Sequence, residues 1–128
     1  MRRLLAFAGL VGVALAAAVR LRRWIDVVEV EGRSMAPTLL PGDWLIVERR
    51  SYFRRRPRIG EIVLAGDPLL PSRELIKRVA GIGTAGLELR GDNPAASTDS
   101  ATFGLFPEAA IRWRAIFRCW PPRGIRFV

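Results

Sequence analysis

Residues 60–79, with the sequence GEIVLAGDPLLPSRELIKRV, contain the pattern that decides the fold. An apolar run at residues 62–65 is followed by Gly66-Asp67-Pro68, and a second β-rich run occupies residues 75–79. Short apolar runs bounded by glycine and proline are typical of β-strands joined by turns. We therefore predict two strands in this stretch.

The same alternation of short runs and turns continues on both sides of this stretch. Further strands are predicted at residues 24–30, 44–47, 87–89 and 111–117. Turn formers separate the runs at residues 41–43, 58–60, 81–83, 91–94 and 121–122. Many short strands in a chain of 128 residues predict one mainly β domain, a small barrel or coiled sheet.

The N-terminal segment differs from the rest because residues 4–19 are apolar or glycine without interruption. A helix of this length reaches about 24 Å, and arginines on both sides can extend it toward the headgroups. A cleavable signal peptide and a retained anchor both fit, but Arg20, Arg22 and Arg23 directly after the run disfavour cleavage. We expect residues 1–23 to be a single-pass membrane anchor and residues 24–128 a catalytic domain. Arginines on both sides leave the orientation in the membrane open.

The composition excludes several kinds of catalytic site. The chain has no histidine, which rules out a Ser-His-Asp triad, a Cys-His dyad and a His-ligated metal. Its one cysteine, Cys119, rules out an internal disulfide and a Cys-only zinc site. We also expect no metal and no cofactor. A proton acceptor for catalysis must then be a carboxylate or the only lysine, Lys77.

The formal net charge of +9 comes mainly from arginine, including a cluster at residues 49–58. Such a cluster suits anionic lipid or nucleic acid, and a solvated loop is the commonest outcome for a charge run. Because other arginines flank the apolar segment, we expect membrane lipid as a partner and no nucleic acid.

Two side chains are candidates for chemistry. Ser34 follows a predicted strand and precedes Pro37, so it is either an exposed nucleophile or a helix N-cap. Lys77 shares a strand face with Leu75 and Val79, and apolar surroundings favour an uncharged amine that can accept a proton. The alternative is a lysine on a solvent-exposed face. The polar segment at residues 91–104 is either a third part of the site or a simple loop.

Five segments, in this order, resemble the type I signal peptidases, which are serine proteases with a Ser–Lys dyad. They are residues 32–39 (GRSMAPTL), 41–47 (PGDWLIV), 60–63 (GEIV), 76–79 (IKRV) and 91–100 (GDNPAASTDS). The resemblance implies that Ser34 is the nucleophile, with its backbone N–H binding the oxyanion, and that Lys77 is the general base. It also implies that Ser97 orients the lysine amine and that Asp99 stabilises the site.

Residues beside the dyad are expected to contact the substrate. Gly32 permits close backbone approach, Met35 supplies an apolar wall and Ile76 neighbours the base. The chain departs from the family pattern at two positions. Gly32 replaces a hydroxyl residue that is a second oxyanion donor in several members, and Ala101 replaces an arginine that often pairs with the acidic residue.

The short interval between Lys77 and Gly91 resembles compact members of the family. These are the mitochondrial inner-membrane peptidases and the nickel-type superoxide dismutase maturation proteases; residues 91–97 and Trp120-Pro121-Pro122 look closer to the second group. The expected activity is removal of a leader from a precursor protein, with a nickel superoxide dismutase precursor as candidate substrate. The alternatives are a general secretory signal peptidase and a non-enzymatic basic module at the membrane. Self-cleaving repressors of related fold carry a helix-turn-helix domain where this chain has its apolar run, which disfavours that hypothesis.

Overall fold

The computed structural model of the chain describes residues 2–98, 100–122 and 126–128, without the side chains of residues 2–6 and 126. Helix α1 (Arg2–Arg22) contains the apolar run, and its described side chains are exposed. In the part of the chain that is described, no helix combines the length and the apolar character needed to cross a membrane.

The domain after α1 is built on a seven-stranded antiparallel sheet. Its order is β1-β2-β6-β3-β4-β5, and β7 pairs with β6 at the side of this path. The strands are β1 (Ile25–Glu29), β2 (Trp44–Glu48), β3 (Ile62–Gly66), β4 (Glu74–Ile82), β5 (Leu87–Arg90), β6 (Ile111–Trp120) and β7 (Arg126–Phe127). One further short helix, α2 (Ser100–Phe103), and 3-10 turns at Arg50–Phe53, Pro94–Ala96 and Glu108–Ala110 complete the described structure. The predicted mainly β fold with an N-terminal helix is confirmed.

The burial of β3 on both faces explains why its sequence is continuously apolar. Ile62 and Leu64 pack into one buried cluster, whereas Val63 and Ala65 pack into another. A strand that is buried on both faces has no solvent side and therefore needs no alternating pattern. The first cluster also contains Met35 and Leu39 from the loop after β1, so the core holds the Ser34 segment from beneath.

Two predictions about the strands need correction. Gly81 and Ile82 were predicted to form a turn, but they extend β4, and the register with β5 shifts between Val79 and Gly81. A Cβ atom at Gly81 would lie only 3.1 Å from a carboxylate oxygen of Glu88, so glycine here allows close cross-strand packing. Strand β7 was not predicted, because a strand of two residues has no periodicity to read.

Candidate active site

Ser34 lies in a run of turns between β1 and β2. The loop is closed at its base, where Val30 donates a backbone hydrogen bond to Asp43 (2.8 Å) and Gly42 donates one to Val30 (2.9 Å). Asp43 is buried, and its carboxylate accepts the backbone N–H of Leu40 at 2.9 Å. No helix begins at Ser34, so the helix N-cap interpretation is wrong for this fully described loop.

Lys77 lies in β4 on the same buried face as Leu75 and Val79, as the alternation predicts. The residue is 2% exposed, which excludes the interpretation of a solvent-facing lysine. Its Nζ donates a hydrogen bond of 2.9 Å to Ser97 Oγ. A buried amine beside a hydroxyl is a polar group held at a defined position, the condition that proton transfer requires.

Close backbone packing brings the loop after β5 against the Ser34 turn. Asn93 donates its backbone N–H to the carbonyl of Ser34 (2.8 Å) and its side-chain amide to the carbonyl of Arg33 (3.1 Å). A Cβ atom at Gly91 would lie 2.6 Å from the carbonyl oxygen of Ser34 and closer still to Ser97 Oγ. Glycine is therefore required sterically at the point where these two loops meet.

A second connection joins this loop to the strand that carries Lys77. Arg78 forms a two-pronged ion pair with Asp92, with Nε at 2.9 Å from one oxygen and a terminal nitrogen at 2.6 Å from the other. Arg78 also donates to the carbonyl of Gly60 at 2.8 Å. The hydrogen bond from Arg78, aided by one from Thr38 and opposed by partial burial, lowers the pKa of Asp92 below its usual value. The ion pair thus fixes the position of β4 against the polar loop.

A groove of about 430 Å³ opens over these residues. Five residues predicted to take part in the site line it: Gly32, Ser34, Met35, Ile76 and Lys77. Ala96 and Thr98 border it, and Ser97 between them reaches Lys77. Asp99, the other predicted site residue, lies outside the described residues.

Two strand edges face each other across the groove. On one side are residues 28–31, at the end of β1, which pairs only with β2 in the described structure. On the other side are residues 74–77 of β4, which pair with β3, whereas pairing with β5 begins at Arg78. An edge with unpaired backbone groups is a template for an added extended strand.

The sequence pattern did not predict several positioning residues, although they lie in the five segments that resemble the signal peptidases. The roles of Thr38, Arg78, Asp92 and Asn93 depend on contacts between distant segments. The one available signal was residue type, since Asp-Asn after a glycine indicates a structured turn. Within the described residues no group of three or more acidic or cysteine side chains could hold a metal ion.

Comparison with known proteins identifies relatives of this chain. A family model described as signal peptidase, peptidase S26, matches residues 2–90, which include Ser34 and Lys77. The chain is 34% identical over 121 residues to the mitochondrial ATP-independent inner membrane protease subunit 1a of Arabidopsis thaliana, covering 77% of this chain and 72% of that protein. It is 32% identical over 115 residues to the mitochondrial inner membrane protease subunit 1 of Mus musculus, covering 74% and 69% respectively.

Proposed function

The chain belongs to the S26 signal peptidase family, and we propose that it is a serine endopeptidase that removes an N-terminal leader from a precursor protein. One observation carries the assignment of the dyad. The side chain of Lys77 is buried and lines the same groove as Ser34, and its Nζ donates a hydrogen bond of 2.9 Å to Ser97 Oγ. Burial disfavours the charged form of an amine, which leaves a base able to take a proton from a hydroxyl.

The proposed reaction proceeds in two stages. Lys77 Nζ takes the hydroxyl proton of Ser34 as Ser34 Oγ attacks the carbonyl carbon of the scissile peptide. The C–N bond breaks, the leaving amine receives the proton from Lys77, and the leader remains as an ester on Ser34. A water molecule, deprotonated by the same amine, then hydrolyses the ester and restores both residues.

The backbone N–H of Ser34 is our candidate for stabilising the oxyanion. Among the described backbone hydrogen bonds, none uses this N–H as donor, so it is available to a developing negative charge. Gly32 has a φ of +74°, so the backbone turns sharply beside the nucleophile. Because glycine has no side chain, Gly32 cannot supply the hydroxyl that is a second oxyanion donor in several members of the family.

The leader is proposed to bind as an extended strand between the two facing edges of the groove. Backbone pairing with residues 28–31 and 74–77 would supply affinity without regard to sequence. Alternate side chains of the leader would then point toward Met35, Leu64 and Ile76, which are apolar and line the groove. Small apolar residues fit such shallow positions best.

Membrane association through α1 completes the proposal. Phe7, Leu10 and Val13 are exposed, and the relatives reported above are named inner membrane proteases. We propose that residues 1–23 tether the domain beside the membrane that carries its substrate.

The identity of the precursor is a narrower hypothesis. Residues 91–97 and Trp120-Pro121-Pro122 are the features that favour a nickel superoxide dismutase precursor over a general secretory one. Incubation of each precursor with the full chain, followed by mass spectrometry of the new N-termini, separates the two. Cleavage of neither precursor by the wild type would contradict the proposed function. The rate should also rise with pH as Lys77 loses its proton, and a flat profile would contradict the role of the lysine.

A further inference from the structure

The two residues that directly follow α1, Arg23 and Trp24, contact the arginine cluster of residues 49–58. The backbone N–H of Arg49 donates to the carbonyl of Trp24 at 3.1 Å, and its side chain donates to the carbonyl of Arg23. The Trp24 and Phe53 rings pack edge to face with centroids 5.2 Å apart. The arginine cluster therefore lies against the residues at which the chain leaves α1.

The arginines of this cluster fall into two groups. Arg49 stacks over Trp24 and Trp113, Arg55 pairs with Glu61 at 2.6 Å, and Arg56 pairs with Glu108. These three are engaged within the domain. Arg50, Arg54 and Arg58 form the second group: they are exposed and, among the described residues, take part in no ion pair, whereas Arg56 is exposed but paired.

An aromatic side chain and a cavity accompany the exposed arginines. Phe53 lies between Arg50 and Arg54 in the sequence and is 72% exposed. A cavity of about 630 Å³ beside it is lined by Arg49, Arg55, Tyr52 and Trp113 among others. Guanidinium groups next to an exposed aromatic ring are typical of protein surfaces at the headgroup level of a membrane.

We propose that this basic surface, formed by Arg50, Phe53, Arg54 and Arg58, binds the anionic phospholipid headgroups of the membrane next to α1. Guanidinium groups bind phosphate oxygens in pairs, and the ring of Phe53 suits the boundary between headgroups and acyl chains. Nucleic acid is disfavoured because Phe53 packs on Trp24, two residues after a helix whose side chains at Val19 and Leu21 are apolar and exposed. Binding would hold the domain in one orientation on the membrane.

Hydrogen exchange of the full chain in lipid nanodiscs tests this proposal. The amides of Tyr52, Arg54 and Arg55 form hydrogen bonds within the cluster, so their exchange reports on this segment. Protection should rise when phosphatidylglycerol is added to phosphatidylcholine. It should fall again at about 1 M salt, where the screening length is about 3 Å.

Paired variants separate local binding from overall charge. In the double variant Arg50→Gln/Arg54→Gln, the protection factor gained from phosphatidylglycerol should be about 30-fold smaller than in the wild type. Each arginine near an anionic surface contributes about 1 kcal/mol to binding. The double variant Arg73→Gln/Arg90→Gln removes the same charge elsewhere and should keep the protection. The double variant Arg50→Lys/Arg54→Lys should keep most of it, which guards against a folding defect in the glutamine pair.

Three results would overturn the proposal. Equal protection in nanodiscs of phosphatidylcholine alone would show that charge is not recognised. Equal losses in both glutamine pairs would show that only net charge acts. In the third result, single-stranded RNA or inorganic phosphate is added to neutral nanodiscs and protects these amides as strongly as phosphatidylglycerol does. The surface would then be assigned to nucleic acid or to free phosphate.

Discussion

Lys77 and Ser97 are 20 positions apart in the chain, and a 2.9 Å hydrogen bond joins the amine of one to the hydroxyl of the other. The bond connects β4, in the middle of the domain, to a loop that follows β5. A buried amine must have polar partners, because an isolated one would cost several kcal/mol on desolvation. The polar loop therefore supplies a hydrogen-bond partner to the buried amine, although Pro94, Ala95 and Ala96 within it are exposed.

Replacement of Ser34 by alanine should abolish cleavage while the fold is kept. Loss of a nucleophile of this type lowers kcat by a factor of about 10,000 or more. Ser72, an exposed serine in the turn between β3 and β4, provides the control, and Ser72→Ala should cleave at the wild-type rate. Mass spectrometry of a model precursor measures both. Cleavage by Ser34→Ala at a rate near that of the control would contradict the proposed nucleophile.

Lys77 should be required as a proton acceptor and not as a positive charge. Lys77→Met keeps the length of the side chain and Lys77→Arg keeps the charge, but neither can act as a base near neutral pH, so both should be inactive. In a Cys119→Ala background, Lys77→Cys treated with bromoethylamine regains an amine and should recover activity. An active Lys77→Arg enzyme would remove the lysine from the mechanism.

Ser97 and Thr98 are neighbours with different expected effects. Ser97→Ala removes the partner of the amine, so kcat should fall about 100-fold while KM is unchanged. Thr98 lines the groove, so Thr98→Ala should alter KM more than kcat. Steady-state kinetics with one peptide substrate distinguish the two. A change in KM alone for Ser97→Ala would place Ser97 in substrate binding instead.

Gly91→Ala should damage the site by displacing Ser97 and the carbonyl of Ser34, which a Cβ atom would crowd. We expect about a 100-fold loss of rate and a loss of about 1–3 kcal/mol in the free energy of unfolding. At Gly83 a Cβ atom meets backbone only at 3.7 Å, so Gly83→Ala is the matched control and should change stability by less than about 0.5 kcal/mol. Equal behaviour of the two variants in both assays would contradict the steric explanation.

The ion pair between Arg78 and Asp92 should make stability depend on pH in the acid range. The folded pKa of Asp92 lies below the unfolded value of 3.8, mainly because Arg78 hydrogen-bonds to the carboxylate. The stabilisation is therefore complete above pH 3.8 and is lost as the pH falls through the folded pKa.

Urea unfolding of Asp92→Asn at several pH values checks this dependence. The variant should be less stable than the wild type by about 2 kcal/mol at neutral pH, and the difference should shrink below pH 3.8. Asp26→Asn, at an exposed carboxylate on β1, serves as control. A difference between Asp92→Asn and wild type that stays constant down to the acid limit would rule out the carboxylate as its origin.

The strands were predictable because burial leaves a local mark on the sequence. Residues 62–65 and 75–79 carry apolar or alternating patterns that follow directly from which faces of β3 and β4 are buried. The placement of Ser34 at a turn and of Lys77 on an apolar face followed from the same local reasoning. These are properties of single segments.

Contacts between segments were beyond such reasoning. The pairing of β2 with β6 joins Leu45 to Arg118, and no periodicity specifies a partner so far along the chain. The same limit applies to Arg78 with Asp92 and to Asn93 with the carbonyl of Ser34. Gly81 shows a different limit, because glycine favours turns but is also required where two strands approach closely.

A chain with one lysine contains a single site for an endoprotease that cuts after lysine, and here that site is on the buried face of β4. Digestion of the peptide bond between Lys77 and Arg78 requires β4 to separate from β3 and β5. The digestion rate therefore reports how often the interior of the domain opens. The residue proposed to drive catalysis thus also provides a built-in reporter of conformational opening, readable in an unmodified chain.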